Sequence, residues 1–374
     1  MFKFEVLGKD KDTSARIGRI HTLHGTVETP AFMPVATQGS VKAMTPEEIE
    51  NLGFEIIAVN AYHMYLRPGH RKIEKFGGLH KFISWNHPIL TDSGGFQVLS
   101  LSGVRKIKED GILFRSHLDG SEHFLTPAKS IEIQEALNAD IMMCLDECPP
   151  FSSSYEYMEK SVELTTRWAS LCKEAKLGSE KALFGIVQGG VFPGLRKKSA
   201  LELLEIEFDG YAIGGLGIGE TKEQTYEIAE FTVSYLPEDK PRYLMGLGMP
   251  EDIVEAVSMG VDLFDCVLPT RNARNGTLFT NHGKMVIKNA RYGEDESPVD
   301  EDCECYTCRT FSRAYLRHLY QAREILASRL LTLHNLYYYG WLMKKIREAI
   351  WKGEFSEFKT RFKSQGGLKE YCEE

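Results

Sequence analysis

Three carboxylates close apolar runs: Asp92 in TDSGGFQ (91–97), Asp146 in LDECPP (145–150) and Asp265 in FDCVLPTRNARNG (264–276). An acid at the C-terminal end of a buried strand sits where barrel enzymes collect their reacting groups, one or two from each of several strands. A pair of carboxylates, one as nucleophile and one as acid/base, is the equipment of retaining glycosyl transfer. Arg271 and Arg274 follow Asp265, and no acid intervenes before Glu294, so the glycoside would be one that carries phosphates. Metal-assisted hydrolysis would need several histidines at strand ends, and His63 alone qualifies. On residue types alone the carboxylates are interchangeable.

Glycines crowd the same strand ends. Ser93, Gly94 and Gly95 follow Asp92; GIVQGG supplies Gln188, Gly189 and Gly190; AIGGLGIGE supplies Gly214, Gly215 and Gly217. A Gly pair after a strand is often only a tight turn. The stretches lack the spacing and lysine of a phosphate-binding P-loop, so the glycines are expected to make room for a flat ligand. Asp, Gln and main-chain N–H groups can pair with the donor and acceptor edge of a purine-like base, and Phe96 or Met245 could lie against its faces.

Cys303, Cys305 and Cys308 fall within six positions of a chain with eight cysteines. That density favours a metal over a disulfide scaffold. A histidine would complete a closed tetrahedral Zn²⁺ set with no place for water, a structural site. His334, in LTLHNLYYYG, and the nearer His318 are both available on spacing.

The elements that must hold these groups alternate. FKFEVL, SARIGRIHT and GTVETP read as an antiparallel cover, after which eight buried strand candidates are separated mostly by helices, one of them from about Tyr155 to Lys176. The order implies an α/β fold, most economically a (β/α)8 TIM barrel, with an open doubly wound sheet as the alternative. Two insertions interrupt it: an antiparallel meander in VRKIKEDGILFRSHLDGSEHFL, and residues 277–334, which begin with the hairpin-like TLFTNHGKMVIKN and end in the cysteine cluster and a basic helix. The expected organisation is a catalytic barrel over 1–276, a zinc-binding insertion over 277–334 and a helical segment over 335–374 that Tyr337, Tyr338, Tyr339 and Trp341 pack back on the barrel.

Net charge is −8, yet residues 267–291 hold five cations and no acid, and residues 305–334 hold five arginines against Glu324. A local basic surface is a better guide to a polyanionic partner than the overall charge, although the second cluster reads equally well as a solvated face. The charged N-terminus lacks a signal peptide's apolar core, and no apolar run approaches a membrane span. A cytoplasmic protein is expected.

The motifs TDSGGFQ, LDEC, GIVQGG, GGLGIGE, YLMGLG, FDCVLPTRNARNG and C-x-C-x2-C with a distant His, in this order, resemble the bacterial-type tRNA-guanine transglycosylases, the queuine tRNA-ribosyltransferase family. The likeness runs from about Thr13 past His334. It implies a (β/α)8 barrel enzyme that exchanges the wobble guanine of G-U-N anticodon tRNAs (Asp, Asn, His and Tyr types) for 7-aminomethyl-7-deazaguanine, a queuosine precursor. By resemblance Asp265 is the nucleophile that forms a covalent ribosyl-enzyme, and Asp92 the general acid/base. Ser93, Gly94, Gly95, Phe96, Asp146, Cys148, Gln188, Gly215, Leu216 and Met245 would bind the base. Gly246, Leu247, Gly248, Thr270, Arg271, Asn272, Ala273 and Arg274 would meet the RNA. Cys303, Cys305, Cys308 and His334 would hold one structural Zn²⁺ per chain, and the family suggests a homodimer. Ile218 stands where relatives that take the larger queuine carry Gly, which points to the precursor base. The rivals are a non-catalytic RNA-binding partner of the same fold, disfavoured by the full set of acids, and a carbohydrate hydrolase, which leaves the basic insertion unexplained.

Overall fold

The computed structural model describes residues 2–101, 105–176 and 178–364. Strands β1 (Lys3–Lys9), β2 (Arg16–Thr22) and β3 (Gly25–Thr29) form an antiparallel sheet. The eight strands β4 (Ala31–Ala36), β5 (Ile57–Val59), β6 (Ile89–Thr91), β10 (Ile141–Met143), β11 (Ala182–Val187), β12 (Gly210–Ile213), β13 (Arg242–Leu244) and β14 (Leu263–Cys266) close a barrel in which every pairing is parallel. The expected meander is β7 (Arg105–Lys108), β8 (Gly111–Arg115) and β9 (Glu122–Leu125); its first residue, Val104, lies outside the described residues. The expected hairpin is β15 (Thr277–Thr280) with β16 (Gly283–Val286).

Strand alternation explains the barrel. Met33 and Val35 of β4, and Ala182, Phe184 and Ile186 of β11, point into one inner cluster, whereas Phe32, Leu183 and Val187 join the outer cluster under the helices. Because successive side chains face opposite ways, both sets are apolar only when both faces are covered. Helix starts are marked in the sequence: Thr45 with Glu48 and Thr221 with Gln224 make capping boxes, and Ser154 caps Tyr155–Ala175.

Ile20 and Val27 of the N-terminal sheet join the inner cluster. Arg16 meets Asp262, just before β14, through two hydrogen bonds at 2.9 and 2.6 Å, both side chains being buried. The sheet therefore plugs the end of the barrel opposite the acids. At that same end His24 and His80 stack at 3.6 Å and 17° over Asp140. His24 Nδ1 and His80 Nε2 lie 2.8 and 3.2 Å from the two oxygens of this carboxylate.

The helix Ile325–Lys352 binds the insertion to the barrel. Asn335 accepts from Phe279 N and donates to Pro269 O and Thr277 O; the Tyr339 ring lies 4.7 Å from that of Phe32, and its hydroxyl donates to Gly248 O at 2.5 Å. This one helix runs across residue 334, so the insertion and the C-terminal segment share it. Residues 365–374 lie outside the described residues.

Candidate active site

Asp92 directly follows β6, and Asp265 is the third residue of β14, which brings both to the C-terminal end of the barrel. Asp265 Oδ1 accepts from the Tyr243 hydroxyl at 2.6 Å and from Gly246 N at 2.8 Å. Among the described residues no arginine bonds to it, so Arg271 and Arg274 are not its ion-pair partners. Burial raises the Asp265 carboxyl above its ordinary range, and the bonds from Tyr243 and Gly246 pull it back. Asp92 accepts from Ala61 N at 2.8 Å and from the Asn60 side-chain amide, both at the loop-to-helix turn after β5. Burial raises Asp92 to about 6; its hydrogen bonds oppose the shift, and the Asp265 charge adds to it. The two acids are thus electrically coupled and differently held, one by a phenol and an amide, the other by a carboxamide and an amide.

Beside them lies a third buried carboxylate, Asp146. It takes a 2.8 Å hydrogen bond from Gln188 Nε2 and a 3.4 Å one from the Ser93 hydroxyl, and is raised by burial to about 6. Gln188 Oε1 is buried and has no hydrogen-bond partner among the described residues. Such an atom is costly unless a ligand supplies a donor. A Cβ at Gly215 would stand 2.4 Å from this oxygen, and one at Gly214 2.7 Å from Nε2. Gly214 and Gly215 therefore make room for the Gln188 side chain. Burial holds the half-buried Cys148 thiol neutral, up to about 12. Leu216 is buried, Met245 is half-buried beside Gly246, and Phe96 is 49% exposed at the start of the helix Gly95–Leu101.

Over residues 10–367 the chain matches the family described as queuine tRNA-ribosyltransferase. Proteins of that name from Thermoanaerobacter pseudethanolicus (58% identical over 369 residues, 98% of each chain), Caldanaerobacter subterraneus (59% over 361 residues, 96% of each) and Thermodesulfovibrio yellowstonii (57% over 362 residues, 96% of this chain and 94% of the other) are similar along nearly their whole lengths. The chain belongs to the queuine tRNA-ribosyltransferase family.

Members of this family are pentosyltransferases, and Asp92 and Asp265 give this chain two carboxylates at the strand ends. The family's metal also fits the residues present. Cys303, Cys305, Cys308 and His334 offer ligand atoms within 4.8 Å of one another, with His334 Nδ1 at 3.7, 3.6 and 3.3 Å from the three sulfurs. Tetrahedral Zn–S and Zn–N bonds place neighbouring ligands about 3.5 Å apart. His334 Nε2 donates to Phe279 O at 2.8 Å, which leaves the Nδ1 lone pair for a metal. His318 is exposed on its helix, away from the sulfurs.

The residues expected to meet RNA divide. Arg271 and Arg274 are exposed and Asn272 is half-buried on the helix Leu268–Arg274; Gly246 is exposed and Leu247 half-buried. Ala273 is wholly buried, Thr270 is 4% exposed, and Gly248 is buried with its carbonyl engaged by Tyr339. In the second basic cluster Arg313 pairs with Asp295 at 2.9 Å, Arg317 donates to Asn289 O and Arg329 pairs with Glu48, while Arg309 and Arg323 remain exposed. The acidic loop 294–302 thereby gains a structural part, since Asp300 also accepts from Asn281 N.

Sequence reasoning missed Tyr243, Asn60 and Glu220, the last of which accepts from the amides of Gly217 and Ile218. The only trace of Tyr243 is its place two residues before Met245 in YLMGLG. Asn60 could have been sought as the first polar residue after EIIAV.

Proposed function

We propose that the chain exchanges the wobble guanine of G-U-N anticodon tRNAs for 7-aminomethyl-7-deazaguanine by double displacement. Asp265 attacks C1′ of the ribose and the bond from C1′ to N9 breaks, leaving a ribosyl ester on Asp265. The departing guanine takes a proton from Asp92, which is suited to this because an acid titrating near 6 can give and regain a proton at neutral pH. The incoming base then loses its N9 proton to Asp92, attacks C1′ and frees Asp265. Ester formation conserves the energy of the glycosidic bond, so neither ATP nor a phosphate donor is required.

The single observation that carries this reading is the coupling of two differently held carboxylates, Asp265 on Tyr243 and Asp92 on Asn60, beside the base-reading set of Asp146 and Gln188. Guanine offers N1–H and N2–H donors to Asp146, while its O6 accepts from the Gly215 and Leu216 amides; Phe96 and Met245 would cover its faces. Ser93 holds Asp146, and Gly94 and Gly95 keep the turn free of side chains. The bulk of Ile218 would favour the smaller aminomethyl base over queuine. Arg271, Asn272 and Arg274 meet the phosphates around a base that is already single-stranded, so turning it out costs only about a few kcal/mol. One Zn²⁺ per chain would be held by Cys303, Cys305, Cys308 and His334 and would lock the insertion. A homodimer in the cytoplasm completes the proposal.

The test is to follow labelled guanine into unmodified tRNA, with Asp265→Asn beside the wild type. Incorporation by the wild type alone supports the reading. Equal incorporation by both removes Asp265 as nucleophile, and none by either removes the exchange activity.

A further inference from the structure

Arg196, in the helix Pro193–Ile206, is wholly buried. Its hydrogen bonds all end on main-chain carbonyls: Nε on Gly190 O at 2.7 Å, Nη1 on Val187 O at 3.0 Å and Gly214 O at 2.7 Å, and Nη2 on Gly215 O at 3.4 Å. Among the described residues no carboxylate lies within ion-pair distance of it. A buried cation without an anion is costly, and burial lowers this guanidinium to about 10.

The placement of those bonds suggests what offsets the cost. The Gly214 carbonyl and the Gly215 N–H belong to one planar peptide, and the Gly215 carbonyl and the Leu216 N–H to the next. In a trans peptide the N–H points opposite to the C=O. A charged donor fixed on each carbonyl therefore turns the two N–H groups away from Arg196, and by polarising the peptide makes each a stronger donor. Gly215, at φ +67°, would otherwise be free to rotate.

We infer that Arg196 is a positioning residue that aims and polarises the Gly215 and Leu216 amides toward a carbonyl oxygen at the 6-position of the base. The inference rests on the base-pocket reading above. It adds a source of selectivity: a 6-oxo base receives two strengthened donors, and a base without that oxygen receives nothing from them.

The experiment is direct calorimetric binding of guanine and of 2-aminopurine, which lacks the 6-oxygen, to the wild type, Arg196→Met and Arg196→Lys, each checked for zinc content and cooperative melting. Arg196→Met is expected to weaken guanine binding about tenfold or more and to leave 2-aminopurine within about twofold, with Arg196→Lys between, because lysine keeps the charge without the fork. Equal losses for both bases would show a merely structural role and overturn the inference, as would unchanged guanine binding. Should the Met variant fail to fold, the Lys variant decides by the same difference. A wild type that binds no guanine would overturn the base-pocket reading and the inference with it. A wild type that binds guanine, beside variants that lose nothing, overturns only the role of Arg196.

Discussion

The Tyr243 hydroxyl donates a 2.6 Å hydrogen bond to Asp265 Oδ1 from inside the barrel, Tyr243 belonging to the inner apolar cluster. The phenol fixes one oxygen of the proposed nucleophile and favours its charged form. Tyr243→Phe should lower kcat by about ten- to a hundredfold, the range for one hydrogen bond to a charged group, with little change in KM for the base. Because the lost bond had lowered the Asp265 carboxyl, the acid limb of the rate profile should move to higher pH. A profile unmoved by the substitution would leave the contact without a catalytic part.

Asp92→Asn should abolish exchange yet stabilise the fold at alkaline pH. Asp92 is raised from 3.8 to about 6 in the folded chain. Its protonation therefore favours folding fully below the unfolded value, and that contribution is lost as pH rises through about 6. Two units correspond to about 3 kcal/mol at most, less whatever the Asn60 and Ala61 bonds lose. The difference in melting temperature between variant and wild type should be positive at pH 8 and shrink toward pH 4, as read by calorimetry across that range.

Removing the metal should act at a distance. His334 stands one residue before Asn335, which bonds to Pro269 O on the arginine-bearing helix. A chelator, or Cys308→Ser, should lower the melting temperature and weaken tRNA binding. Guanine binding at Asp146 should persist. Metal analysis of protein purified without chelators is expected to give about one zinc per chain.

Arg271→Ala and Arg274→Ala should raise KM for tRNA and each reduce the slope of log affinity against log salt by about one. Free guanine, which has no phosphate, should bind both variants as it binds the wild type.

Ala273→Ser, by contrast, adds a hydroxyl to a wholly buried position. It is expected to cost stability, about 1–3 kcal/mol for an unpaired buried hydroxyl, in chemical denaturation. A purely RNA-facing role would instead lower tRNA affinity without changing the denaturation midpoint.

Much of the architecture could be read in advance because its causes are local. Continuous apolar runs in AFMPVA and ALFGIV, covered on both faces, specify barrel strands; Thr45 with Glu48 specifies a helix start; three cysteines in six positions mark a group able to hold a metal, its fourth ligand left open. The acids at strand ends belong to the same class, since their positions follow from where each apolar run stops.

Tertiary structure decided what each of these groups touches. Tyr243 reaches Asp265 because β13 and β14 are neighbours in the closed barrel, and Asn60 reaches Asp92 because β5 lies beside β6. Arg196, which reads as one more cation in LRKKSALELLEIE, faces inward to four carbonyls; Arg313 and Arg329, which read as part of a basic surface, are engaged by Asp295 and Glu48. Sequence determined which groups are present and at which strand ends, because periodicity and capping act over a few residues. Partners, burial and proton affinity were left to the fold, because they depend on elements far apart in the chain, as in the pairing of Arg329 with Glu48 across 281 residues.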